Sequence, residues 1–117
     1  MVSLYVSKDG LGRARRKIFD TGATHTLVGS RRWFVGVVQQ VQVPVSGVAG
    51  RKGGLVATGL GEVKIPVSGG VALRQDGAYF VPGLGDKVLV SISKLVDDGW
   101  SVLVTKANGT NMMKLWR

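Results

Sequence analysis

The chain has 117 residues, which is room for one domain spanning 1–117, and 44% of them are hydrophobic, enough for a core. There is no cysteine and a single histidine, His25, so disulfides, thiolate zinc sites and multi-histidine metal sites within one chain are excluded. Sixteen Lys and Arg against seven Asp and Glu give a formal net charge of +9, compatible with acidic partners or nucleic acid.

In chain order, Val2 to Val6 alternates and reads as a first strand. Met1-Val2-Ser3-Leu4 does not open a signal peptide, and no apolar run approaches a membrane span. Lys8-Asp9-Gly10 has the composition of a tight hairpin turn, with Arg13 to Phe19 as the returning strand. That strand delivers Asp20, followed by Thr21, Gly22, Ala23 and Thr24. Thr26 to Val28 is a short strand, and Ser30 to Phe34 a turn carrying Trp33 and Phe34 back into the core.

From Val37 to Val48, Val41, Val43 and Val45 alternate with Gln40, Gln42 and Pro44, and the proline places this strand at a sheet edge. Gly47 to Gly54 is a glycine-rich tip without a large apolar anchor. Leu55 to Val67 returns as a long strand, with a bulge or kink expected at Gly59 and Gly61. Val71 to Leu73 and Ala78 to Val81 read as two short strands around a Gln75-Asp76-Gly77 turn. Pro82 to Gly85 is a tight loop. Asp86 then caps the one helix, with Val88, Leu89, Ile92, Leu95 and Val96 on one face and Gly99 as its stop. Trp100 to Thr105 and Met112 to Trp116 are final strands around an Asn108-Gly109 turn. The expected class is all-β, about ten short strands with one late helix.

Chemistry concentrates at Asp20. A carboxylate at the end of an apolar strand is costly to desolvate unless something holds it. Ser91 and Ser93 fall on the expected helix and His25 is the only imidazole, which argues against a Ser or Cys triad. The other acids are Asp9, Glu62, Asp76, Asp86, Asp97 and Asp98, and none repeats the apolar-apolar-Asp-Thr-Gly setting, so one chain cannot supply a symmetric acid pair. A twofold dimer can, by setting Asp20 against its own copy. Two adjacent carboxyl groups share one proton, so one serves as general base on water while the other polarises a carbonyl. Thr21 can hydrogen-bond across the axis, Gly22 admits a peptide backbone, and Ala23 keeps the floor small.

Phe19-Asp20-Thr21-Gly22-Ala23-Thr24-His25-Thr26 resembles the active-site motif of retropepsins, the dimeric aspartic proteases of retroviruses and retrotransposons. The ordered stretches downstream are similar to the Copia-type retrotransposon branch. They are Val48-Ala49-Gly50, Gly59 to Ile65, Tyr79 to Leu84, Val88 to Leu95, and Asp98 to Val102. The resemblance implies a closed acid-protease β-barrel with one short helix in its second half, acting as a homodimer. Asp20, Thr21 and Gly22 would be the catalytic motif. Ala23, Thr24, His25, Val48, Ala49, Gly50, Val88 and Leu89 would bind substrate. The hairpin from about Val43 to Ala57 would be a flap over the peptide, and Val88 to Ser91 the segment bracing the active-site loop before the helix. It further implies no metal or organic cofactor, a Gag-Pol-like polyprotein as substrate, and a cytoplasmic location within virus-like particles.

This chain departs from the pattern in places. Ser91 stands where many retropepsins have glycine, although a serine there is similar to the Copia pattern, and Thr24 and His25 stand where retroviral enzymes carry acids, which bears on specificity. His25 is read either as pocket lining or as an exposed polar residue. Met112 to Trp116 is the candidate terminal strand of the dimer. Two other readings stand beside the protease: a catalytically silent retropepsin-fold binding module, and a basic RNA-binding β-barrel using Arg13, Arg15, Arg16 and Lys17. The net charge also allows weak, non-specific RNA contact as a by-product of the basic surface.

Overall fold

The computed structural model describes residues 3–7, 17–20, 23–45, 55–66, 72–107 and 110–117; for 3–7, 17, 18, 20, 104–107 and 110–112 the description is of backbone. The longest elements are two strands of 12 residues, β4 (Phe34–Val45) and β5 (Leu55–Pro66), following β1 (Ser3–Ser7), β2 (Lys17–Asp20) and β3 (Leu27–Val28). After them come β6 (Ala72–Phe80), β7 (Val88–Ser91), the helix α1 (Ile92–Asp97), β8 (Ser101–Ala107) and β9 (Thr110–Trp116). The molecule is thus mostly β, with one α-helix among the described residues. Its Cα radius of gyration is 13.9 Å, near the roughly 13 Å of a compact chain of about this size. No helix among the described residues is long and apolar enough to cross a membrane.

Among the described residues the strands form two sheets, a three-stranded one in the order β1-β9-β8 and a six-stranded one in the order β2-β7-β3-β6-β5-β4. In β4, Val41, Val43 and Val45 are half-buried while Gln40, Gln42 and Pro44 are exposed, and the strand does lie at the sheet edge. Pro44 removes a ladder donor, which an edge strand tolerates. The expected tip of this hairpin, Gly47 to Gly54, lies outside the described residues, as do the expected turns at Lys8 to Gly10 and Asn108-Gly109.

Three sequence expectations are corrected. First, the segment from Asp86 is not one helix. Val88 to Ser91 is a strand paired on both sides, parallel to β2 and antiparallel to β3, and all four of its residues are buried. A short apolar run bounded by turns fits a buried strand as well as a helix, and two β-branched valines tip it to strand. The helix begins only at Ile92, and its N-cap is Ser91, not Asp86: Lys94 N–H donates to Ser91 Oγ at 3.1 Å. The stop at Gly99 stands. With φ 95°, Gly99 lets its own N–H reach the Val96 carbonyl and the Trp100 N–H reach the Leu95 carbonyl, a Schellman ending.

Second, β1 and β2 are not hairpin partners: β1 pairs with β9, and β2 with β7. A local turn composition does not report which distant strand offers the better ladder. Third, Gln75-Asp76-Gly77 is no turn between two strands. β6 runs continuously, and the register with β5 steps from Gly61–Ala78 to Val63–Gln75, so Asp76 and Gly77 together oppose Glu62. The bulge is possible because Gly77 adopts φ 70°.

Among the described residues the core falls into two clusters. The first gathers Val28, Trp33, Val63, Ile65, Leu73, Ala78, Val88, Val90 and Leu95 with Met113 and Leu115 of β9, and so joins the two sheets and α1. The second gathers Leu27, Ala57, Val81, Leu84 and Leu89, rimmed by the half-buried Val43, Val45, Leu55 and Tyr79.

Candidate active site

The short strand β2 brings the backbone of Asp20 to a defined place. β2 runs parallel to β7 with Phe19 opposite Val90 and Asp20 opposite Ser91, and Phe19 packs against the first cluster. Ser91 is fully buried and spends its polar groups on the loop that follows Asp20. Its hydroxyl donates to the Ala23 carbonyl oxygen at 2.6 Å, and its N–H donates to Thr26 Oγ1 at 3.0 Å. The Thr26 hydroxyl in turn donates to Gln75 Oε1 in the bulged stretch of β6. Thr26 and Gln75 are each 2% exposed. A buried hydroxyl that accepts one hydrogen bond and donates another is satisfied, and such a chain fixes the backbone it joins. Three elements, β7, the turn before β3, and β6, are tied together at the exit of the Asp20 strand. Among the described residues Gln75 Nε2 has no hydrogen-bond partner, although it is buried.

The sequence-predicted site residues divide clearly. Asp20 and Ala23 are brought beside Ser91, and Ala23 is half-buried. Thr24 and His25 are exposed next to them, with Thr24 Oγ1 3.0 Å from His25 Nδ1. The His25 ring lies 4.9 Å from the Tyr79 ring at a 48° tilt, and Tyr79 borders the second cluster. Thus His25 is exposed and also stands at the rim of that cluster. Leu89 belongs to the second cluster, whereas Val88 is fully buried in the first. The two neighbours therefore face opposite sides of β7, and the structure does not bring Val88 to the side of His25. Thr21, Gly22, Val48, Ala49 and Gly50 lie outside the described residues.

Sequence reading assigns no role to Thr26 or Gln75; it places Ser91 in the segment expected to brace the active-site loop, without a role for its hydroxyl. Ser91 carried a signal, since a hydroxyl residue directly before Ile-Ser-Lys-Leu has the composition of an N-cap. Thr26 carried a fainter one, as the polar residue leading an apolar strand. Gln75 carried none, because Asp76-Gly77 beside it reads as a turn. Among the described residues, no three or more His, Asp or Glu gather as a metal ligand set. Compared with protein-family models, curated proteins and solved structures, the chain matches none of them.

Proposed function

We propose that the chain is a retropepsin-type aspartic endopeptidase, similar to the Copia-type retrotransposon branch, whose active site is shared by two copies. The observation that carries this reading is the tie at the end of β2. The strand ends at Asp20 in parallel register with Ser91, and the Ser91 hydroxyl anchors the Ala23 carbonyl three residues further on. An acid on a braced loop suits a reaction in which a carboxyl group must hold one position through several proton transfers. Two further features support it: the long β4–β5 hairpin, whose tip would be a flap, and the half-covered apolar cluster of Leu27, Leu89, Val43, Val45 and Tyr79 beside it.

In the proposed reaction, Asp20 of one copy is ionised and Asp20 of the other is protonated. The ionised carboxylate takes a proton from a water molecule, whose oxygen attacks the scissile carbonyl carbon. The protonated carboxyl gives its proton to the carbonyl oxygen. The tetrahedral diol then collapses, its hydroxyl proton returns to the carboxylate, the C–N bond breaks, and the amine leaves with the proton taken from water. Thr21 would bond across the twofold axis, Gly22 would admit the substrate backbone, and Thr24 and His25 would contact it. Closure into a barrel, dimerisation through the terminal strands, and a Gag-Pol-like polyprotein as substrate within particles belong to the same proposal.

The test is cleavage of apolar peptides at mildly acidic pH by wild type and Asp20→Asn, with the solution mass measured alongside. Wild type is expected to turn over as a dimer and the variant to fold but lose at least about a thousandfold in rate. An Asp20→Asn protein of full activity overturns the assignment. A monomer that binds peptide without cleaving it favours the silent binding module.

A further inference from the structure

Because β2, β7 and β3 are short, register decides what stands at each end of them. Lys17 lies opposite Val88 and Asp20 opposite Ser91, while β3 runs the other way with Val28 opposite Val88. One end of this unit therefore carries Asp20, Ser91 and the turn from Ala23 to Thr26. The other carries Lys17, Lys87 and the turn from Gly29 to Arg32. Three residue steps of strand, roughly 10 Å, separate the two ends.

The second end is tightly assembled. Gly29 N–H donates to the Lys87 carbonyl at 3.2 Å, and a Cβ at Gly29 would stand 2.1 Å from the Gly85 carbonyl oxygen. The turn bearing Arg31 and Arg32 thus lies directly on the turn bearing Lys87, and only a glycine allows that approach. Arg31 places its guanidinium carbon 5.3 Å from the centroid of Phe80, and Arg32 places its own 4.7 Å from that of Trp33. Trp33 is anchored in the first cluster, so the cation above it has a fixed platform. Arg31, Arg32 and Lys87 are all exposed. The ion pairs Arg74–Glu62 and Lys94–Asp98 involve none of them, and Asp86 is the acid beside Lys87 in sequence.

We infer that this end of the sheet, through Arg31, Arg32 and Lys87, binds the backbone and bases of single-stranded nucleic acid. A guanidinium held over a ring has little freedom left to lose, and its N–H edge matches a phosphate in two-point fashion. Its outward face offers a stacking surface to an unpaired base. Anionic lipid headgroups or acidic peptides would use the charge but not that stacking surface. The net charge of +9 supplies the long-range attraction for a polyanion. The inference does not rest on the peptidase reading: the basic residues stand at the opposite end of these strands from Asp20, and Asp20→Asn is expected to bind RNA as wild type does.

The experiment is fluorescence anisotropy with a short labelled single-stranded RNA of mixed sequence, titrated across a series of salt concentrations. Replacing both arginines (Arg31→Ser with Arg32→Ser) is expected to weaken binding about tenfold or more. It should also flatten the log–log salt slope by roughly 1.4, because two phosphates of a single strand are no longer neutralised. Lys64→Ser with Arg74→Ser removes the same charge from β5 and β6 and is expected to stay within about twofold of wild type. Arg31→Lys with Arg32→Lys keeps the charge and covers the case in which the serine variant fails to fold. It should keep most of the slope but lose affinity with the stacking surface. The site is overturned if wild type shows no salt-dependent RNA binding, if the control pair weakens binding as much as the arginine pair, or if the lysine variant binds like wild type. It is equally overturned if phosphatidylserine vesicles bind and RNA cannot compete them away.

Discussion

The two apolar clusters share one four-residue strand and differ in how deeply they are buried. β7 gives Val88 and Val90 to the first cluster and Leu89 to the second. The first lies between the two sheets and α1, and Val28, Val63, Ile65, Val90, Leu95 and Leu115 within it are all at 0% exposure. Half-buried residues border both, Phe19, Phe34, Ile92, Trp100 and Val102 at the first and Val43, Val45, Leu55 and Tyr79 at the second, but in the second Leu27 and Leu89 themselves keep 8% exposure. The more deeply a cluster is buried, the less apolar surface it has left to offer another molecule, so the first bears mainly on stability. A cluster whose own members keep some exposure can still bury the side chain of another molecule. The period of two along β7 is what separates the tasks, and Ser91, at its end, ties both to the loop after Asp20.

The largest effect on stability is expected from breaking the more deeply buried side. Leu95→Ala removes a fully buried side chain at the junction of α1 with the sheets, and the cavity has few neighbours free to collapse into it. The loss should be about 2–5 kcal/mol in urea unfolding. Any peptidase activity should keep its KM at temperatures where the variant stays folded. A loss below about 1 kcal/mol would show that the first cluster is not the packed core its burial indicates.

Next in size is the polar tie between the two sides. Thr26→Val keeps the shape of the side chain but leaves the buried Ser91 N–H and Gln75 Oε1 without their partner. The expected loss is about 1–3 kcal/mol, the desolvation cost of groups left unpaired. If the chain is the proposed peptidase, kcat should fall by more than the loss of folded protein explains, because the same tie holds the Ala23 carbonyl through Ser91. If the remaining folded protein turns over at the wild-type kcat, the network is structural and does not position the acid's loop.

How far these features were legible differs along the chain for physical reasons. The β4 pattern was readable because an edge strand with one wet face writes its period of two directly into Val41, Gln42, Val43 and Pro44. The stop at Gly99 was readable because a helix end that needs positive φ selects glycine locally. Val88 to Val90 was not, since a strand buried on both faces has no polar face to mark its period, and its run merges with the helix that follows. The partner of β1 was hidden because pairing with β9 joins opposite ends of the sequence. Asp20 stood out as an expensive acid at a strand end. Its support, Thr26, Gln75 and the Ser91 hydroxyl, comes together only when three distant segments fold against one another, and no single stretch announces it.

The smallest effect on stability should come from the border of the less deeply buried cluster. Val43 is half-buried and lies opposite the fully buried Ala57 in the β4–β5 ladder. Val43→Ala removes two methyl groups that are already partly in water, so unfolding should cost only about 1 kcal/mol less than in wild type. If the rim of the second cluster receives an apolar substrate side chain, those methyl groups are worth more to the complex than to the free protein. Their loss should then raise KM for apolar peptides by roughly tenfold with kcat little changed. Leu95→Ala would show the reverse pattern, a large stability loss with KM unmoved. If Val43→Ala instead lowers stability by several kcal/mol and leaves KM alone, the second cluster is ordinary core, and the division of labour along β7 fails.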